Sequence, residues 1–333
     1  MKTHQKQHGG VSFLTLSTIA AIALGGGYYY VDTKADTRAQ QAVEKFVAEA
    51  TSKGANVSYG SVDASPLFRS LTISDFVIKG SDTEADINIG TIKVAGFSLS
   101  ELNQDYEKVP TKLCLSIDNA SVYLKPSMVE NDRDMKPFVE ILGEKIEFSS
   151  KFSYQLDEES GDLSISSTET VVNNFSLNTE ITLGNMAWIA ELETDGNNEN
   201  AGKSLGDITL NALSIQFNNT GVVDNVFAAA IKETGQTKAE LTKQLLAELE
   251  STQGQVTSEL EEGREELETK VLTSIILPSI DELINFVNKP EKLQLTLSPT
   301  RPITGEDLMM VMFMGKSKAI ELLDIATPVV KAN

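Results

Sequence analysis

Apolar and polar positions alternate along Leu71-Thr-Ile-Ser-Asp-Phe-Val-Ile78, with one skipped beat at Asp75-Phe76. Leu115-Ser-Ile-Asp-Asn-Ala-Ser-Val122 repeats the pattern; Val171-Val-Asn-Asn-Phe-Ser-Leu177 and Leu210-Asn-Ala-Leu-Ser-Ile215 are looser copies. A period of two with a one-residue slip predicts half-buried strands carrying bulges. Strands are expected at 56–63, 70–79, 85–97, 111–125, 145–156, 162–168, 171–184, 186–194 and 207–218. Turn-forming residues separate them at 79–82, 158–162 and 195–202. Short links favour antiparallel meander pairing. Nine strands at ~4.8 Å spacing make a sheet about 40 Å across, which must curl or be covered. One face collects Leu71, Ile73, Ile87, Ile89, Leu113, Leu115 and Ile117; the other is rich in Ser, Thr, Asn and Asp.

Elsewhere the period changes. Asp36 to Lys53 reads as a helix with Val43, Phe46, Val47 and Ala50 on one stripe and Gly54 after its last turn. From 223 to 288 the pattern is helical. Asp224 caps a first helix ending near Gly235, and Thr237-Lys-Ala-Glu240 is a capping box opening a second with Leu241, Leu245 and Leu249 in line. Ser279-Ile-Asp-Glu282, after Pro278, predicts a fresh helix start. The end holds a strand at Lys292–Leu297, a capping pattern at Thr304–Asp307, the apolar run Leu308–Met314 and a stripe through Ile320, Leu323 and Ile325. Leu308–Met314 is expected as a buried helix closing the core, with a pliable, methionine-rich surface that adapts to acyl chains as the alternative, and Trp188 is expected as a mid-strand core residue.

Residues 11–31 carry no charge, and as a helix they are about 30 Å long, enough to cross a hydrocarbon core. Tyr28, Tyr29 and Tyr30 suit the membrane interface. A cleaved signal peptide is the competing reading, because Ala21-Ile-Ala23 has cleavage spacing. The simplest topology is an N-in, single-pass anchor exporting the body, which in a Gram-negative envelope is periplasmic. The resulting fold class is α+β: an N-terminal transmembrane helix, a large curled and mostly antiparallel β-sheet with bulged strands, and a C-terminal helical segment packed with it. The expected segments are a cytoplasmic tail 1–10, an anchor 11–31, a stem helix 32–54, a sheet domain 55–222, a helical segment 223–288, and a strand with amphipathic helices 289–333.

Composition then removes several chemistries. A formal net charge of −20 repels nucleic acid. The single cysteine, Cys114, forms no internal disulfide, and the two histidines, His4 and His8, lie in the tail. A Cys/His zinc site and His-assisted nucleophilic catalysis in the body are therefore excluded by count. Asp195, Asn197 and Glu199 begin like a calcium loop, but Asn200 and Gly206 stand where Gly and Glu are required. No catalytic, metal or cofactor residues are assigned, and an enzyme is not expected. Glu259, Glu261, Glu262, Glu265, Glu266 and Glu268 form an acidic run, read as a solvated face or as a surface for a basic partner, with Glu262 and Glu266 as candidate docking residues.

A membrane anchor, a short helix, then Val57-Ser-Tyr59-Gly60 leading to Ser65-Pro-Leu-Phe68-Arg-Ser-Leu71-Thr-Ile73-Ser-Asp75-Phe-Val-Ile78 resembles AsmA-like envelope proteins. The resemblance spans about residues 8–125, with an echo at Leu293–Pro299. The entry pattern also resembles other anchored envelope proteins. The AsmA-like resemblance implies a curled sheet with an apolar inner face, acting in phospholipid movement or outer-membrane assembly. The expectation is an inner-membrane-anchored protein whose sheet binds or hands over lipid through Leu71, Ile73, Ile87, Ile89, Leu113, Leu115 and Ile117. The alternative is a non-catalytic assembly factor that docks an envelope protein partner through the acidic helices. Whether the apolar sheet face is an open groove or a filled core separates the two.

Overall fold

The computed structural model describes residues 35–52, 55–65, 70–80, 84–96, 110–131, 135–191, 207–261 and 265–333. The anchor expected at 11–31 and the loop at 195–206 lie outside them. The fold is α+β with large antiparallel pairing, as the alternation predicts. The described residues up to 96, with 113–149, pack as one unit; 110–112 and 150–333 pack as a second.

In the first unit, helix α1 (Ala35–Ser52) is followed by β1 (Asn56–Ser58), β2 (Ser61–Ser65), β3 (Ser70–Lys79), β4 (Asp86–Ala95) and β5 (Lys112–Tyr123). Two short helices, α2 (Pro126–Asn131) and α3 (Met135–Leu142), lead to β6 (Lys145–Asp157), which continues into the second unit. The strand order is β1-β3-β4-β5-β6, and β2 also pairs with β3. Asp86 fastens one end of the β3–β4 pair. Its carboxylate accepts from Lys79 Nζ at 3.0 Å and from the backbone N–H of Gly80 at 3.1 Å, and lies 3.1 Å from Lys125 Nζ. Lys79 and Lys125 hold the Asp86 carboxyl below its usual range.

The skipped beat is real, but it is not a bulge. Leu71 and Ile73 face inward on β3, and the inward position then moves to Phe76; β4 switches between Ile89 and Ile92, and β5 between Ile117 and Ala120. A bulge sets two residues against one. Here the register is the same on both sides: Ser74↔Thr91 and Phe76↔Ile89, then Thr91↔Asp118 and Ile89↔Ala120. Gly60, Asp75, Gly90 and Asn119 therefore stand in one row across the sheet. Asp75 and Asn119 take left-handed φ values of 54° and 55°. A Cβ on Gly60 would lie 2.9 Å from Asp75 Oδ2, and one on Gly90 2.9 Å from Asn119 Cβ, so each glycine makes room for the left-handed residue beside it. Strands β3, β4 and β5 change face at the same row, and their inner faces stay aligned.

The second unit holds β7 (Asp162–Val171), β8 (Phe175–Gly184) and β9 (Thr209–Asn219), then α4 (Val222–Thr234), α5 (Lys238–Glu261), α6 (Glu266–Val271) and α7 (Leu277–Asn288). It ends with β10 (Lys292–Leu297), β11 (Ile303–Thr304), α8 (Gly305–Met314), α9 (Lys316–Ala326) and β12 (Pro328–Ala332). The order is β6-β7-β8-β9-β10-β12, with β11 on β9. A true bulge occurs here: pairing steps from Thr182↔Ala212 to Leu183↔Leu210, leaving Asn211 extra, and its side-chain amide donates to Asp162 Oδ1 at 3.0 Å. The expected slip at 171–177 is instead the turn between β7 and β8, with Asn173 at φ 60°. Trp188 is not in a strand; it lies in the 3-10 turn Ala187–Glu191, packed on the cluster of Leu156, Leu163 and Met186.

One face of this sheet seats the helices. Phe286 of α7 meets the Phe217 ring at 6.1 Å, and Phe217 meets Phe175 at 5.8 Å. Glu282 accepts from the N–H of Ala332 at 2.8 Å. The alternate residues carry a polar ladder, Gln216 to Asn218 to Ser176, with links of 3.0 Å. The helix start expected at Ser279 does not occur. The chain runs helically from Glu266 to Asn288, and Ser279 Oγ donates to Ile275 O at 2.7 Å, one turn back. The widened π-turn Leu272–Ile276 ends two residues before Pro278 and accommodates a ring that would clash with a regular turn. By length and apolar composition Glu266–Asn288 could cross a membrane, but its contacts through Phe286 and Glu282 seat it on the sheet.

Candidate functional site

Leu71, Ile73, Ile87, Ile89, Leu113 and Ile117 are buried, and Leu115 is half-buried. Val43, Phe46 and Val47 of α1 pack on the cluster formed by Ile73, Phe76, Ile87, Ile89 and Ile117, together with Met128, Met135 and Val139 from α2 and α3. The helix expected as a stem is thus part of the core. The apolar sheet face in this unit meets protein side chains, because the α1 stripe and the strand alternation complete one another. Of the acidic pair, Glu266 is exposed at the start of α6, and Glu262 lies outside the described residues. Glu268 pairs with Lys316 at 2.8 Å, and Lys270 pairs with Asp324, so part of the acidic run ties α6 to α9.

The second unit contains a half-open groove of about 400 Å³ between α4, α5 and α7, with exposed Val226 and Leu245 at its lining. Its walls include Val223, Phe227, Ala230, Leu241 and Phe286, and Gln244 and Glu248 also border it. The wall from α4 is set by its junction with β9. Asn219 Oδ1, rather than Asp224, accepts the N–H groups of Gly221 and Val223, each at 3.1 Å. Buried Asn174 binds the same junction: its carbonyl accepts from Val222 N at 3.0 Å, and its Oδ1 accepts from Asn225 Nδ2 at 3.0 Å. The wall from α5 begins at the expected capping box, with Thr237 N donating to Glu240 at 2.8 Å and Glu240 N returning to Thr237 Oγ1 at 3.3 Å. Lys238 lies 5.3 Å from the Phe227 ring centroid and donates to Asp224 at 2.6 Å, which places a cation at this wall.

A second apolar feature is exposed. The buried helix expected at Leu308–Met314 is α8, and Met312 and Phe313 are 83% and 85% exposed. Only its start follows expectation: Thr304 Oγ1 accepts from Asp307 N at 3.2 Å, and Asp307 accepts from Thr304 N at 2.9 Å. Arg301 donates to both Asp307 oxygens at 2.8 Å and, with the Thr304 N–H, holds that carboxyl far below its ordinary value. A folded pKa below the unfolded value of about 3.9 gives stability that is present above the unfolded value and lost as pH falls. Hydrogen exchange over 305–314 should therefore stay slow through pH 4 and accelerate in stronger acid, and Asp307→Asn should remove that acid dependence. Thr304→Ala should lower the local opening free energy by about 1 kcal/mol.

Reactive chemistry is sparse. Burial pushes the Glu169 carboxyl up, and the Ser167 hydroxyl partly offsets this at 3.4 Å. Among the described residues, no group of three or more His, Cys, Asp or Glu side chains could hold a metal. A family model described only as "Uncharacterized protein" matches residues 169–332, from the end of β7 to β12. No curated protein matches the chain.

Proposed function

We propose that this is a non-catalytic, membrane-anchored envelope protein that holds or hands over an acyl chain, with the binding site in the helical groove of the second unit. The carrying observation is the apolar space of about 400 Å³ between α4, α5 and α7, a size and lining suited to a hydrophobic ligand. Relocating the site from the sheet face follows from burial of Ile73 and Ile89 beneath α1. Lys238 supplies a cation where a fatty acid carboxylate would emerge, in exchange for Asp224.

Native mass spectrometry of the protein in mild detergent should recover an acyl-bearing ligand. Ala230→Phe, which fills the wall, should weaken binding of a fluorescent long-chain fatty acid by about tenfold or more at unchanged stability. Repeated purification without lipid, or unchanged affinity in the filled variant, would sink the proposal. The second reading, docking of an envelope protein partner on the helical segment, draws support from exposed Leu267 beside Glu266. Crosslinking from Glu266 that captures one specific protein, combined with the absence of ligand, would favour it.

A further inference from the structure

We infer that α8 is an interfacial membrane element, its Met/Phe face resting among the acyl chains of a bilayer. Leu308, Met309, Met312 and Phe313, at 54%, 55%, 83% and 85% exposure, lie on one side of a ten-residue helix. Met310 and Met314, at 37% and 62% exposure, carry the outward apolar surface beyond that side, and half-buried Val311 is the apolar position turned inward. An apolar side turned outward reverses the pattern of a helix on a water-soluble protein. The feature is built rather than frayed. A capping box and the Arg301–Asp307 fork fix its start, and Gly315 at φ 68° ends it. The Lys316–Glu268 and Lys270–Asp324 pairs hold the following helix to α6.

Size and context select the occupant. At ten residues, α8 is about 15 Å long, too short to span a core of ~30 Å but able to lie in its boundary. A stable protein interface recruits about 20–30 residues a side, far more than one short helix offers. The uncharged run 11–31, read as an anchor under the proposed function, would tether the body to a bilayer, and the inference rests on that reading. Methionines at 309, 310, 312 and 314 adapt to the irregular surface of lipid chains. Arg301, Lys316 and Lys318 beside α8 are each paired with a carboxylate. Attraction to anionic headgroups is thereby muted, and the contact is apolar. This inference is independent of whether the groove holds a ligand.

The test uses the full chain in phosphatidylcholine–phosphatidylethanolamine vesicles. Cys114→Ser removes the sole thiol, and Met312→Cys, Phe313→Cys or, as a control, Lys331→Cys receives an environment-sensitive fluorophore. Labels at 312 and 313 should shift to the blue and be quenched about twofold or more by acyl-brominated lipid, unchanged in about 1 M salt. The label at 331 should stay open to aqueous iodide. Labels at 312 and 313 that iodide reaches freely, or that neither iodide nor brominated lipid reaches, overturn the inference, the latter by placing protein on α8.

Discussion

Phe76→Ala should lower the stability of the first unit by about 3–5 kcal/mol, and Ile73→Ala by about 2–5 kcal/mol, the cost of opening a cavity in a packed core. Both side chains are fully buried in the cluster that α1 completes. The expected readout is a lowered denaturant midpoint with accelerated hydrogen exchange across β3, β4 and β5. Under the proposed function, the affinity of the second unit for a fatty acid should be unchanged wherever the protein remains folded. An open lipid groove on this sheet predicts the opposite pairing: small stability changes and a large loss of bound lipid. The two substitutions thus decide between a structural and a ligand-contacting role for the very residues that alternation selects.

Gly221→Ala should be nearly as severe. Its φ is 154°, and an added Cβ would stand 2.3 Å from the carbonyl oxygen of Asn173, a backbone atom in the β7–β8 turn. That turn cannot simply give way, because Asn174 accepts from Thr220 N at 2.8 Å and Val222 N at 3.0 Å. A loss of about 3 kcal/mol is expected from backbone strain and displaced contacts together. The displacement moves α4, so fatty acid affinity should fall along with the thermal midpoint. Trp188, the sole tryptophan and a member of the second unit's core, offers a fluorescence signal for that transition. Unaltered stability would show that the junction is not fixed by the close approach of Gly221 to Asn173.

Local rules made much of this fold legible. Alternation located β3, β4 and β5, and capping chemistry located the starts of α5 and α8. These signals work because the atoms involved are within a few residues of one another. The strand β12 escaped notice: it is short, opens on Pro328, and gains its identity by pairing with β10 across the intervening helices. The Ser279 box was misleading because a side chain that can cap a helix can also bond one turn back within it. The exposure of α8 went against the burial that an apolar run ordinarily signals and matches the alternative of an adaptable methionine-rich surface. Of the candidate groove only the stripe of Leu241 with Leu245 was visible in the sequence, because the site's shape depends on how Asn174 and Asn219 set the junction of β9 with α4.

The row formed by Gly60, Asp75, Gly90 and Asn119 bears on how the chain finds its pairing. Alternation rejects a one-residue shift, which turns the apolar set outward, but a two-residue shift restores the alternation of faces. Here such a shift would leave the change of face in one strand opposite regular alternation in the next, and would set a side chain against Asp75 or Asn119 where a glycine now stands. The row therefore works as an alignment mark written into successive strands, and a misaligned pairing is disfavoured. Its residues encode one property jointly. Moving a single mark by one position should therefore be harmful, whereas moving it in every strand together should restore a working sheet.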